Sequence, residues 1–152
     1  MDTISRIGLW QGRIVLTAAT VIFTLISLRY LIDPVGVANE FKISLGTATA
    51  ITNLRVAFGA FPLGFAIIVF SCVISTKRLL RGLFFFGTII GVVTAVRIYG
   101  VLTDGATPES LKVLRPEIVM LMLSIVGILL EMRRRRLLIV HKQQKIENML
   151  AT

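Results

Sequence analysis

A chain of 152 residues has the length of one domain, and its 55% apolar content and mean hydropathy of +0.86 exceed the roughly 45–50% apolar share of soluble domains. The net charge of +9 does not point to nucleic acid, because the basic residues flank long apolar runs instead of forming a patch on a polar fold. One cysteine, Cys72, and one histidine, His141, leave no intramolecular disulfide and no paired-histidine metal site, and the sequence holds no HExxH, GxSxG, P-loop or dinucleotide-binding pattern.

Met1 to Arg13 is polar and lightly basic, with Trp10 where an interfacial aromatic sits. An uncharged run from Ile14 to Leu28 follows, and a first membrane span is expected over residues 14–32. The run could begin a secretory signal, but no small-x-small cleavage pattern closes it, so it is read as a retained helix. Asp33-Pro34 ends that helix, since the residue before proline is pushed out of helical geometry. Residues 33–47 form a half-apolar connector suited to the membrane interface.

The second span is expected over residues 48–75 and contains Asn53-Leu-Arg55-Val-Ala-Phe-Gly59-Ala-Phe-Pro-Leu-Gly64. Gly59, Ala60 and Gly64 leave room for another backbone, and Pro62 predicts a kink because it removes a helical hydrogen bond. Lys77, Arg78 and Arg81 make a basic turn before a third span over residues 82–102, which carries the spaced pair Gly87 and Gly91. The stretch Thr103–Ser110 reads as a turn and a helix start in one, and Pro116 and Glu117 suit the first turn of a fourth span over residues 116–132. Arg133 to Arg136 then open a basic tail, residues 133–152, read as a topology anchor that also could bind anionic lipid. The expected class is all-α: an integral membrane four-helix bundle with short connectors and a basic tail.

Lysine and arginine counts orient it. With four spans the two termini share a side, which collects 11 basic residues against 3 on the other, so both termini are expected in the cytoplasm. Arg29, Arg55 and Arg97 then fall near the outer ends of the first three helices, and Glu117 opens the fourth at the same level, with Asp33 and Asp104 flanking. Two readings of this layer stand. The charges pair and fix helix register, or Arg29, Arg55 and Arg97, with Glu117 and with room left by Gly59 and Gly64, hold a lipid head group or quinone.

The stretch from Asn53 to Gly64, with Arg97, Asp104-Gly105 and Pro116-Glu117, resembles an uncharacterised bacterial four-helix inner-membrane family, catalogued as a domain of unknown function and distantly DoxX-like. Ala60 stands where the family's usual motif has a second glycine. The resemblance covers roughly Pro34 to Leu130 and implies a bacterial plasma-membrane location and the fold, with no activity. On this reading the protein is a non-enzymatic accessory or ligand-binding membrane protein, with membrane lipids and a membrane protein as its candidate partners. No catalytic residues, cofactor or metal are assigned. A small transporter and a membrane redox or quinone-associated subunit are the alternatives; the former wants an acidic residue deep in a span, and Glu117 and Glu131 sit at span ends.

The basic asymmetry predicts that alkaline phosphatase fused after Thr152 is inactive and a cytoplasmic reporter at the same point is active. An active phosphatase there contradicts the orientation.

Overall fold

The computed structural model describes residues 3–150, with the side chains of residues 3–5 and of Lys145 left aside. The extremes of the expected polar start and basic tail, residues 1–2 and 151–152, therefore lie outside the described residues. Every regular element is helical: α1 Thr3–Ile32, α2 Pro34–Glu40, α3 Ala48–Leu54, a π-helical segment Arg55–Ala60, α4 Phe61–Ile74, α5 Leu79–Asp104 and α6 Pro108–Leu150. Four of the helical stretches are long and apolar enough to cross a membrane: Arg6–Ile32, Ala48–Ile74, Leu79–Asp104 and Pro108–Leu150. The chain forms two compact units. One joins the start of α1, up to Val15, to everything from Thr76 onward; the other runs from Leu16 to Ser75.

Local chemistry sets the element boundaries. Asp33 caps α2, its carboxylate accepting the Gly36 N–H at 2.9 Å, with Pro34 in the first turn. Thr47 caps α3 by accepting the Ala50 N–H at 3.1 Å. Gly105, at φ +97°, takes the left-handed turn after α5 that a side chain would strain. Thr107 then caps α6 through the Ser110 N–H at 3.1 Å, so this helix starts at Pro108. Pro116, expected in the first turn of the fourth helix, therefore lies inside it, and the helix continues unbroken through the basic tail to Leu150.

In the first unit α5 and α6 run antiparallel, with matched pairs along their length. A Cβ on Gly87 would touch Ser124 and Ile128 at 3.5 Å, one on Gly91 would touch Leu121 at 3.6 Å, and Arg97 meets Glu117. The start of α1 fits closely here: a Cβ on Gly8 would lie 3.3 Å from Leu130, and one on Gly12 would lie 3.1 Å from Leu83. The buried stripe of α5, Leu79, Leu83, Phe86, Ile90 and Thr94, has the three-and-four spacing of a packed helix face. The buried positions of α6 are Glu117, Ser124, Gly127, Glu131 and Arg134, while Ile118, Val119, Met122, Leu123, Ile125, Val126 and Leu129 are exposed. This helix is polar inside and apolar outside.

In the second unit the latter part of α1 lies antiparallel to the π segment and α4. Tyr30 stacks on Phe58 with ring centres 5.2 Å apart, and Phe23 meets Phe65 edge-on at 5.2 Å. Between these contacts sits Gly59, which is buried; a Cβ there would come within 2.8 Å of Leu31. Just before Pro62, where the sequence predicts a disturbed helix, the chain widens by a residue: the Phe61 N–H bonds the Val56 carbonyl, five residues back. A wide turn of this kind just before a proline relieves the clash of its ring with the preceding helix. Gly64 has open space beside it and lines an apolar groove of about 420 Å³ with Val56, Ala60, Phe61, Phe65 and Ile68.

Overpacking a close helix contact costs about 1–3 kcal/mol. Gly59→Ala is therefore expected to lower the melting temperature in detergent, because Leu31 must move, whereas Gly64→Ala is expected to leave it unchanged. Equal effects would contradict the close approach at Gly59.

Candidate functional site

The arginines singled out by the sequence meet different fates. Arg97, late in α5, grips Glu117 of α6 with both ends of its fork: Nε donates to Oε2 at 2.6 Å and Nη2 to Oε1 at 2.7 Å. This is the pair expected from their positions, and its bidentate geometry uses the planar guanidinium fully. The Glu117 side chain is 12% exposed and that of Arg97 33%. Arg29, on the last turn of α1, does not pair with Asp33, whose carboxylate is engaged in capping α2. It donates to Glu40 at 2.6 Å instead, with both side chains more than half exposed. Arg29, Asp33, Gly36, Glu40 and the apolar Leu25, Leu28, Ile32 and Val37 line a groove of about 350 Å³.

Arg55 has no ion-pair or hydrogen-bond partner for its side chain among the described residues, and it is exposed. It is the first residue of the π segment, where its backbone N–H is shared between the carbonyls of Ile51 and Thr52. Arg29, Arg55, Gly59 and Gly64 thus belong to one compact unit, and Arg97 and Glu117 to the other. Asp104, expected to flank the arginines, is exposed and makes no ion pair among the described residues.

A second polar cluster escaped the sequence reading. Glu131 has no exposed surface and accepts from Arg134 Nε at 2.6 Å and Nη2 at 2.7 Å, and from Arg135 Nε at 3.0 Å. Arg135 Nη2 continues to the carbonyls of Lys77 at 3.0 Å and Thr76 at 3.5 Å, and Arg13 Nη2 donates to the Thr76 hydroxyl at 3.2 Å. Arg134 and Arg135 are therefore not the solvated tail residues that the run Arg133–Arg136 suggests: Arg134 is 7% exposed, Arg135 is half-buried, and only Arg133 and Arg136 of the four are exposed. The signal was present. Glu131 stands three and four residues before these arginines, and Glu117, Ser124, Glu131 and Arg134 share one helical stripe. Higher in the same unit Gln11 Nε2 donates to the Leu123 carbonyl at 3.0 Å.

A family model described as a domain of unknown function, DUF4345, matches residues 12–128. The chain belongs to the DUF4345 family. Within that match lie Arg29, Arg55, Gly59, Gly64, Arg97 and Glu117, whereas Glu131, Arg134 and Arg135 fall beyond its end. Comparison with curated proteins and with solved structures finds no match. Among the described residues no group of three His, Cys, Asp or Glu side chains is placed to hold a metal ion.

The Arg97–Glu117 geometry yields a double-mutant cycle. Arg97→Leu or Glu117→Leu alone strands a charge in poor solvent, and the double variant is expected to be more stable in detergent than the two losses summed, by about 1–3 kcal/mol. Strictly additive melting shifts would contradict the pair.

Proposed function

We propose that this DUF4345 protein is a multi-pass plasma-membrane protein, both termini cytoplasmic, that binds an amphiphilic ligand near its outer surface without chemistry of its own. The observation that carries the reading is Arg55: of the three arginines near outer helix ends, it alone has a side chain without a partner among the described residues. A guanidinium at the edge of hydrocarbon needs an acceptor, and its fork suits a phosphate or carboxylate, with a quinone oxygen as a weaker alternative. Directly after Arg55 comes the apolar groove formed by Val56, Ala60, Phe61, Gly64, Phe65 and Ile68, of a size for an acyl or isoprenoid tail. Gly59 holds this segment against α1, and Arg29 with Glu40 adds a polar surface on the neighbouring helix end. Arg97 and Glu117 serve as a fixed pair that holds α5 to α6.

Membrane residence is supported by α6, where charged and hydroxyl side chains are buried and large apolar ones are exposed. A surface of that kind suits lipid rather than water. The most buried acid, Glu131, already takes three hydrogen bonds from arginines, which supports a binding role over proton-coupled transport.

Native mass spectrometry of protein extracted in mild detergent tests this. The wild type is expected to carry an anionic amphiphile that Arg55→Ala and Gly64→Leu lose, and that Arg115→Ala, in a side chain remote in sequence from the groove, retains. Equal retention in all four proteins would overturn the assignment.

A further inference from the structure

We infer a second anion site, for a phosphate group, at the turn between α4 and α5. Arg13 reaches this turn from α1, Arg135 reaches it from α6, and Lys77, Arg78 and Arg81 are part of it or of the first turn of α5. The one carboxylate tied into this hydrogen-bonded group is Glu131, which has no exposed surface and is occupied by Arg134 and Arg135. It cannot also neutralise the rest. Lys77, Arg78 and Arg81 are exposed, with no ion-pair partner among the described residues.

Arg13 sharpens the case. Its Nη2 donates to the Thr76 hydroxyl at 3.2 Å, a neutral acceptor, while its Nε is buried without a hydrogen-bond partner. A buried guanidinium N–H without an acceptor is a destabilising arrangement, of a kind that native structures relieve with an oxygen atom. Two carbonyls of the turn, of Thr76 and Lys77, are already taken by Arg135, which fixes the turn so that the remaining cations stay together. The group therefore combines a rigid backbone with an excess of cations, and the ligand chemistry that answers the exposed ones, Lys77, Arg78 and Arg81, is a phosphate oxygen. Its position beside the ends of apolar helices offers two sources, the phosphate of an anionic lipid and free phosphate.

The test uses full-length protein carrying Arg55→Ala, so that loss of the ligand at Arg55 does not enter the reading. This protein is reconstituted in nanodiscs of equal phosphatidylglycerol and phosphatidylcholine, and the lipids it retains are counted by native mass spectrometry. Phosphatidylglycerol is expected to be retained preferentially, by about fivefold per basic group engaged. Adding Lys77→Gln, Arg78→Gln and Arg81→Gln together, all in exposed side chains, is expected to abolish the preference; adding Arg13→Gln alone is expected to reduce it. Adding Lys112→Gln and Arg115→Gln is expected to preserve it. Displacement by millimolar inorganic phosphate would assign the same site to free phosphate, and lack of displacement to lipid. Equal retention of the two lipids before the turn is altered, or an unchanged preference in the triple-turn variant, overturns the site.

Discussion

Glu131 is a carboxylate with no contact to solvent, and the end of the molecule that carries the start of α1, the α4–α5 turn and the basic stretch of α6 is organised by it. A charge in that setting is tolerable only when its lone pairs are met. Arg134 and Arg135 meet them, and Arg135 passes the constraint on to the carbonyls of Thr76 and Lys77. Sliding α6 along α5 would carry Glu131 with both arginines but would break the bonds from Arg135 to the turn that precedes α5. At the other end of the same helix pair, Arg97 and Glu117 impose a second such constraint. Between these two clamps the contact is made by small residues: Ser124 and Gly127 on α6, and Gly87 and Gly91 on α5. Charged ends fix the register, and the small middle allows the helices to approach.

The second unit is built differently. It has no buried ion pair among the described residues; its contacts are ring on ring, Tyr30 on Phe58 and Phe23 on Phe65, and Leu31 against the bare backbone of Gly59. Its irregular element, the π segment, is where an arginine stands without a partner. Wide turns within helices recur at functional sites. Here the extra residue relieves Pro62 and sets Arg55 one residue before an apolar groove. Two ion-paired carboxylates, Glu117 and Glu131, lie within the first unit, and the proposed ligand site in the second rests on an arginine without a partner among the described residues.

Much of this was legible in the sequence. Apolar run lengths gave the four long helices, Asp33-Pro34 gave the end of α1, and Arg97 with Glu117 could be paired because their helices are joined by a short connector. Other features were hidden for identifiable reasons. Four consecutive arginines look like a solvated anchor, and only the stripe shared by Glu117, Ser124, Glu131 and Arg134 shows that one of them points inward. Thr107-Pro108 and Arg115-Pro116 both look like helix openings in the sequence, and the capping bond at Thr107 decides for the first. The close approach of Leu31 to Gly59 joins residues 28 positions apart and could not be read from local sequence. Asp33, expected only to flank the arginine layer, is taken up in capping α2, and Arg29 pairs with Glu40 instead.

The central claim is that partnered and unpartnered arginines have different work, and side-chain NMR of the guanidinium Nε–H groups in micelles reads this directly. Arg97 and Arg134 are expected to exchange slowly with water and to keep their resonance positions when an anionic amphiphile is titrated in. Arg55 is expected to exchange fast in its absence, then to shift and become protected as it is added. An Arg55 resonance that is protected from the outset and indifferent to the titration would contradict the account.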